Sequence, residues 1–207
     1  MKRKILAILI IAVSFATAQQ AAAQFRWGPT AGITLNNLKW KQDLFTVDKT
    51  IGYAAGVAGE LMFPGIGFGI DLGLYYEQRG AKLGMGQLTL FEEYGTRQSY
   101  LHTMVIPFHL RFKYTRLNGF EDTLAPFVYA GPSVGIVVAH NKIPCLEYAG
   151  GDLGIDFGVG AEIKRNWQVS LSYTMGMTYI EKAKILTNYS ARSSNFALRV
   201  TYYLNRD

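Results

Sequence analysis

Residues 152–179, with the sequence DLGIDFGVGAEI-KRN-WQVSLSYTMGMTY, decide the fold because they form two alternating segments around a short turn. Large apolar side chains occupy every second position of each segment, and glycine or polar side chains occupy most of the positions between them. In the second segment the apolar positions are Trp167, Val169, Leu171, Tyr173, Met175, Met177 and Tyr179. A repeat of two residues is that of a β-strand, whereas a helix would leave this stretch without a polar face. The stretch is therefore predicted to be a long antiparallel hairpin.

The polar faces of this hairpin indicate which side is buried. They carry mainly Gly, Ser and Thr, whereas a sheet face exposed to water normally carries Lys, Glu, Thr and Arg. Small side chains suit the crowded interior of a narrow membrane barrel, in which apolar side chains point to lipid and polar ones fill the lumen. Alternation by itself also fits a soluble β-sandwich or barrel, so the rest of the chain has to distinguish the two.

The N-terminus has the pattern of a secretory signal peptide. A basic start is followed by an apolar run and then by small residues that end at Ala23. The run is well short of the about 20 residues that a membrane-spanning helix needs. We predict a signal peptide at residues 1–23, with cleavage after Ala18 as an alternative, and one barrel domain at residues 24–207.

Composition favours the membrane barrel. Charged residues make up 17% of the chain, compared with about 25% in ordinary soluble domains. Aromatic residues at 14% and 22 glycines point towards lipid contact and tight strand packing. The net charge of +6 includes three basic residues of the predicted leader, and no basic stripe remains that would predict a nucleic-acid partner. Cys145 is the single cysteine, so no internal disulfide can form, and we interpret Cys145 as a loop residue.

Eight strands are predicted, and together they indicate an all-β protein, an eight-stranded antiparallel up-and-down transmembrane β-barrel of the cell outer membrane. Their connections alternate in length, as expected when short turns lie in the periplasm and long loops lie outside. The predicted strands are 26–36, 51–63, 67–79, 99–114, 124–138, 151–163, 167–178 and 194–204. The predicted long loops are 37–50, 80–98, 139–150 and 179–193.

The strand at residues 99–114 supports an outward apolar face. Tyr100 and Tyr114 lie near its two ends, where the aromatic girdles of a membrane barrel meet the water interfaces. Pro107 cannot donate a ladder hydrogen bond, so we predict a β-bulge there. In the last strand the alternation predicts Phe196, Leu198, Val200, Tyr202 and Leu204 outward and Ala197, Arg199, Thr201 and Tyr203 inward.

Five segments carry a family resemblance, in the order GPTAGITLNN, GFGIDLGLYYEQRGAK, VIPFHLRFKY, APFVYAGPSVG and FALRVTYYLN. Together they resemble the small eight-stranded outer-membrane barrels called PorT-like, which are similar in architecture to the OmpA transmembrane domain. The resemblance implies the fold and the outer-membrane location, and it brings no shared catalytic residues. Some members of that family are linked to a protein secretion system. Many outer-membrane barrels end on an aromatic residue, whereas this chain continues past Tyr203.

The predicted inward faces carry charges of both signs. An unpaired charge buried in a narrow lumen is costly, so these side chains are expected to pair with one another and to fill the barrel. The predicted lumen charge network comprises Glu60, Asp71, Glu77, Arg79, Arg111, Lys113, Asp156, Glu162 and Arg199, with Arg26 and His109 as further inward candidates. This pattern predicts a plugged barrel; the alternative is that the same charges line a small ion path.

Catalytic and metal sites are not expected. The histidines His102, His109 and His140 show no metal-ligand spacing, and we expect no metal and no other cofactor. Ser99 and His102 come nearest to the constellation of an outer-membrane lipid-modifying enzyme, but a separation of three residues on a strand places them on opposite faces. The protein is therefore predicted not to be an enzyme.

The predicted function is a structural or interaction role in the outer membrane, with an accessory role in protein secretion as the finer hypothesis. The first alternative is a small porin-like channel, and the second is a lipid-modifying enzyme. Expected partners are outer-membrane lipid, lipopolysaccharide phosphates that meet basic residues of the outer loops, the outer-membrane insertion machinery and an unidentified protein.

The chain is expected to be a monomer, and most charges of its outer loops, including Glu181, are interpreted as solvated. The apolar loop at residues 80–98 is interpreted as an extension of two strands above the membrane, with a partner-binding patch as the alternative.

Overall fold

The computed structural model describes residues 24–40, 46–63, 67–84, 95–114, 123–141, 143, 146–183 and 190–204. The predicted signal peptide, Cys145 and the residues after Leu204 lie outside the described residues. In the part of the chain that is described, no helix is long and apolar enough to cross a membrane. The strands are β1 (Gln24–Trp40), β2 (Thr46–Met62), β3 (Phe68–Gly84), β4 (Thr96–Lys113), β5 (Leu124–His140), β6 (Leu146–Tyr148), β7 (Gly151–Ile163), β8 (Trp167–Gly176), β9 (Glu181–Ala183) and β10 (Ser190–Tyr202).

Eight of these strands close into an antiparallel barrel. Consecutive strands pair from β1 to β5, then β5 pairs with β7, β7 with β8, and β8 with β10. The first strand pairs with β10 from Thr30↔Thr201 to Trp40↔Ala191, which closes the sheet. Closure leaves the barrel without a free edge, so its backbone hydrogen bonds are satisfied inside the sheet as a bilayer requires. The predicted eight-stranded antiparallel fold is confirmed.

A band of apolar side chains covers the outside of the barrel. In β10, Phe196 and Leu198 are exposed while Ala197 and Arg199 are buried, as predicted from the alternation. Aromatic side chains lie near both ends of the band, which matches the girdles at the two water interfaces of a membrane barrel. Among the described residues, the exposed Trp and Tyr side chains with this placement are Trp27, Tyr114, Trp167 and Tyr202 at one end and Tyr53 and Tyr100 at the other.

Several strands are longer than the bilayer requires, and they extend on the outer side. The strands β1, β2, β3 and β5 have 17 residues each, which corresponds to about 56 Å at about 3.3 Å per residue. A tilted strand crosses a bilayer with only about 9–11 residues. The predicted long loop at residues 37–50 is therefore wrong, because β1 continues to Trp40 and β2 begins at Thr46.

The predicted loop at residues 80–98 is also shorter than expected. Strand β3 continues to Gly84 and β4 begins at Thr96, with Leu83 buried inside. These bounds agree with the interpretation of this stretch as an extension of two strands. In both loops the apolar and polar positions keep alternating past the aromatic girdle, and this is the signal of the continued strands.

Two short strands within the predicted loops were not expected from the sequence. Strand β6 pairs with β9, and β9 pairs with the outer end of β10 through Glu181↔Ala191 and Lys182↔Ser190. Three-residue strands are too short for alternation to identify them. Together they extend the wall of the barrel beyond the β7–β8 hairpin.

The predicted bulge at Pro107 is wrong. Strand β4 keeps its register on β5 through Pro107, which pairs with Ser133, and its register shift lies between His102 and Thr103 instead. On the other side, the β3–β4 ladder has no pair at Pro107 and resumes in the same register. A local gap in one ladder accommodates the missing N–H, so no extra residue is inserted.

An apolar cluster fills the lumen at the outer end, beyond the lipid-facing band. Leu83 is fully buried, and Leu101 and Ile180 are each 1% exposed. This outer cluster consists of Leu38, Ala81, Leu83, Leu101, Ile143, Ile180 and Ala191, with Trp40, Val47, Val137 and Tyr148 packed against it. The cluster lies across the lumen and packs strands from opposite sides of the barrel against one another.

The lumen charge network as a candidate functional site

All nine side chains of the predicted lumen charge network point inward, and each residue is at most 8% exposed. They lie on β2, β3, β4, β7 and β10, whose alternation turns every second residue towards the lumen. The structure brings them together in two networks and one separate pair. Whether this arrangement has a function of its own stays a prediction.

The inner network lies towards the short-turn end of the barrel and is centred on Glu60 of β2. The carboxylate of Glu60 accepts hydrogen bonds from Arg26 at 2.9 Å, from Arg111 at 2.8 Å and from Lys113. Charge-assisted bonds of this kind are the strongest that a carboxylate makes in a dry interior. The members of this inner network are Arg26, Glu60, Asp71, Arg111, Lys113 and Glu162.

The remaining contacts of the inner network balance its charge. Lys113 Nζ lies 2.7 Å from Glu162 Oε2, and Arg111 Nε donates to Asp71 Oδ2 at 2.9 Å. Arg26 also donates to the main-chain oxygen of Arg165 in the β7–β8 turn at 2.6 Å. Three cations face three anions, so the network is neutral as a unit.

The outer network lies nearer to the outer cluster and consists of Glu77, Arg79, Asp152 and Arg199. Arg79 lies 2.9 Å from Glu77 and 3.1 Å from Asp152, and Arg199 pairs with the other oxygen of Glu77. Arg199 Nη1 also donates to Ser172 Oγ at 2.8 Å. With two cations and two anions, this network is neutral as well.

Asp156 joins neither network and is held by its own partners. His109 Nε2 lies 3.0 Å from Asp156 Oδ2, and Ser133 Oγ donates to Asp156 Oδ1 at 3.0 Å. The His109 ring stacks on Tyr129 with a centroid separation of 4.9 Å. This separate pair connects the neighbouring strands β4, β5 and β7 on one side of the lumen.

A small cavity lies between these groups. It has a volume of about 20 Å³, and Asp71, Tyr75, His109, Tyr129 and Arg199 are among its lining residues. A cavity needs about 10–15 Å³ to accommodate one water molecule. The space is therefore of the size of about one water and is much too small for a hydrated ion.

The carboxyl group of Glu181 is buried beside the outer cluster. Ser99 Oγ donates to Glu181 Oε1 at 2.6 Å, and Oε2 has no hydrogen-bond partner among the described residues. Burial raises the pKa of Glu181 to about 7, and the bond from Ser99 opposes this only in part. The interpretation of Glu181 as a solvated loop residue is wrong, because β9 turns this side chain into the cluster.

Asp152 belongs to the outer network, although it is not among the predicted lumen charges. Asp152 directly precedes Leu153, which is exposed, so the alternation of β7 already places it inward. Extending the predicted pattern by one residue would have identified it. Glu181 offers no comparable signal, since β9 has only three residues.

The residues considered for catalysis lie apart. Ser99 points into the outer cluster, whereas His102 lies on the outer face with Nδ1 2.8 Å from the hydroxyl of Tyr76. Among the described residues, no group of three or more His, Cys, Asp or Glu side chains is arranged to hold a metal ion. The described residues that were considered for catalysis therefore form no common site, and the lumen networks and the outer surface are the candidate functional features.

Comparisons with known proteins agree with this architecture. OprG, an outer membrane protein from Pseudomonas aeruginosa, matches with a TM-score of 0.53 and 10% identity, covering 88% of this chain and 95% of that one. Neisserial surface protein A matches with a TM-score of 0.48 and 11% identity, over 85% and 96% of the two chains. Ail, the attachment invasion locus protein of Yersinia pestis, matches with a TM-score of 0.45 and 12% identity, over 87% and 99%. At these identities the likeness to OprG shows a shared fold alone.

The sequence itself identifies the family. No curated protein sequence matches the chain. The profile of the outer membrane protein beta-barrel domain matches residues 17–181, which is most of the chain. The closed barrel, its outward apolar band and this match together show that the chain belongs to the outer membrane protein beta-barrel domain family and resides in the outer membrane.

Proposed function

We propose that this protein is a closed, non-conducting and non-enzymatic barrel with a structural or interaction role in the outer membrane. One observation carries the proposal: buried side chains occupy successive levels of the described lumen. Two neutral networks occupy the level of the lipid, and the outer cluster fills the level above. A barrel filled in this way acts through its surfaces, because solutes have no continuous water path through it.

The porin-like alternative requires these networks to open. Glu60 alone is held by three cations at full burial, and separating such a group leaves charges uncompensated in a dry interior. Breaking one buried ion pair in this way costs about 3–5 kcal/mol. An ion path would require several of these separations at once.

Planar-bilayer recording of the folded, purified protein tests the proposal. We expect no stable conductance steps from the wild type. A porin of known conductance, recorded in the same bilayer, is the positive control. A variant with Glu60, Arg111 and Lys113 all replaced by alanine should also stay closed, because the outer network and the outer cluster still occupy the lumen. Large, stable steps from the wild-type protein would overturn the closed-lumen proposal.

The finer part of the proposal is an accessory role in protein secretion, and the resemblance to PorT-like barrels supports it. A deletion strain tests this through the protein content of its culture medium and the composition of its outer-membrane lipid. Loss of specific exported proteins, restored by the wild-type gene, is the expected result. Loss of a lipid modification with unchanged secretion would contradict this role and identify an enzyme instead.

A further inference from the structure

A pocket on the outside of the barrel lies where the apolar band meets the outer extension. The outer extension is the part of the wall beyond that band, formed by the outer ends of the long strands together with β6 and β9. Its volume is about 280 Å³, and it spans four neighbouring strands, β2, β1, β10 and β8. The pocket is separate from the lumen, because its walls are outward-facing side chains of these strands. Its lining residues are Leu35, Asn37, Lys39, Lys49, Tyr173, Ser194 and Phe196.

The floor of this surface pocket is apolar and belongs to the lipid-facing band. Leu35 of β1 lies opposite Phe196 of β10 in the sheet, and the two residues are 38% and 47% exposed. Tyr173 of β8 lies beside Phe196, with ring centroids 4.7 Å apart. This floor therefore offers apolar surface to an acyl chain that follows the barrel wall.

The upper rim of the pocket carries positive charge. Lys39 and Lys49 are both exposed, and Lys39 Nζ donates to the hydroxyl of Tyr173 at 3.2 Å. Within the described residues Lys49 makes no hydrogen bond or ion pair. Lys39 also lies opposite Arg192 of β10 in the sheet, which adds a third cation at the same level.

Among the described residues, no carboxylate lines the pocket. Asp48 directly precedes Lys49 in β2 and lies opposite Lys82 of β3 in the sheet. Within the part of the chain that the structure describes, Lys39 and Lys49 therefore form no ion pair with a residue that lines the pocket. Two ammonium groups above an apolar floor complement an amphiphile whose anionic group lies at the water boundary and whose chains lie in the bilayer.

We propose that this surface pocket binds a phosphorylated lipid of the outer leaflet, with its phosphate between Lys39 and Lys49. The phosphate accepts charge-assisted hydrogen bonds from the two lysines, with the Tyr173 hydroxyl and the Asn37 amide as further donors. One acyl chain lies on Leu35 and Phe196. The proposal concerns the outside of the barrel and is independent of whether the lumen conducts.

Native mass spectrometry of the folded, full protein in a non-ionic detergent tests this site. The probe is lipid A with two phosphates and six acyl chains, and the same lipid without phosphates and inorganic phosphate alone serve as comparisons. We expect bound lipid A in the wild type and about 10- to 30-fold weaker binding in the double variant Lys39→Gln, Lys49→Gln, as two surface cations are lost. Binding to the wild type should also weaken as salt concentration rises.

The control is Lys82→Gln, which removes another exposed lysine of the outer extension, on β3, the strand next to the pocket. Its binding should equal that of the wild type, and all variants should keep the heat-modifiable electrophoretic mobility of a folded barrel. Equal binding by the double variant, or equal binding of the lipid without phosphates, would overturn the proposal. Displacement of the lipid by inorganic phosphate at the same concentration would show a site for free phosphate, which also contradicts it.

Discussion

The lumen at the level of the lipid and the lumen above it are filled by opposite kinds of side chain. At the lipid level the interior holds paired charges centred on Glu60 and Glu77, whereas above it the interior holds aliphatic side chains such as Leu83 and Leu101. The wall is the same β-sheet in both regions. What differs is the medium outside that wall.

The difference between the two regions follows from where water is. Beside the lipid, the apolar residues gain by facing outward, so polar side chains are left to fill the interior and must satisfy one another. In the outer extension water surrounds the wall, and burying aliphatic side chains stabilises it by about 25 cal/mol per Å². The barrel is therefore held closed by ion pairs at one level and by the hydrophobic effect at the next.

Removing the central anion of the inner network should have the largest effect. Replacement of Glu60 by Gln leaves Arg26, Arg111 and Lys113 facing two carboxylates, and we expect it to lower the free energy of unfolding by about 3–5 kcal/mol. Urea unfolding in detergent, followed by tryptophan fluorescence, measures this change. The matched control is Glu147→Gln on β6, an exposed residue, which should change stability by less than about 0.5 kcal/mol. Equal stability of the two variants would contradict the network.

A second substitution tests whether the lost charge balance causes the destabilisation expected in Glu60→Gln. Adding Lys113→Gln to Glu60→Gln restores equal numbers of cations and anions in the inner network. The double variant should then be more stable than the sum of the single changes predicts, by about 0.5–3 kcal/mol. Strict additivity in the same urea series would instead indicate that each residue acts alone.

The outer cluster should respond to lost volume rather than to charge. Leu101→Ala truncates a side chain that is 1% exposed, and the cavity left behind should cost about 3 kcal/mol. The comparison is Leu198→Ala on the lipid face, where the side chain is 43% exposed and no closed cavity forms. Hydrogen exchange should increase at β6 and β9 in Leu101→Ala only. Similar exchange in both variants would show that the cluster does not hold the extension.

Acidity should stabilise the outer extension through Glu181. Its pKa of about 7 in the folded chain lies above the ordinary value of 4.5, so the folded state binds a proton that the unfolded state releases. Stability is then highest at and below about pH 4.5 and falls as pH rises to about 7, by no more than about 3 kcal/mol. Hydrogen exchange of the β9–β10 ladder at pH 5 and pH 8, corrected for intrinsic rates, measures this. In Glu181→Gln the dependence should disappear, and its persistence would exclude Glu181 as the source.

The sequence predicted the membrane part of this fold well because one constraint acts on every residue there. Lipid outside and a narrow lumen inside enforce alternation, so the facing of Phe196 and Arg199 follows from their positions in a strand. The same rule also placed the nine charged residues inside the barrel. Their partners could not be predicted, since pairing across the lumen depends on strand register and on side-chain length.

The outer extension was predicted less well because it lies above the lipid, where that constraint on the outward face is absent. Above the lipid the outward face is polar like a loop, so the stretches that contain Leu38 and Leu83 were interpreted as loops although their alternation continues. The short strands β6 and β9 owe their position to pairing with β10 and to the outer cluster, which are tertiary contacts. The burial of Glu181 depends on those contacts, so no local sequence pattern indicates that this side chain is buried.

Water access to the lumen tests the central claim most directly. In a background with Cys145 replaced by Ser, a cysteine at Ser172 lies inside the lumen, where the native residue is 2% exposed. A cysteine at the exposed Thr46 serves as the reference. The closed lumen predicts that a small, charged, water-soluble thiol reagent labels the folded Thr46→Cys protein rapidly and labels Ser172→Cys only after unfolding. Equal labelling rates in the two folded proteins would contradict a filled lumen.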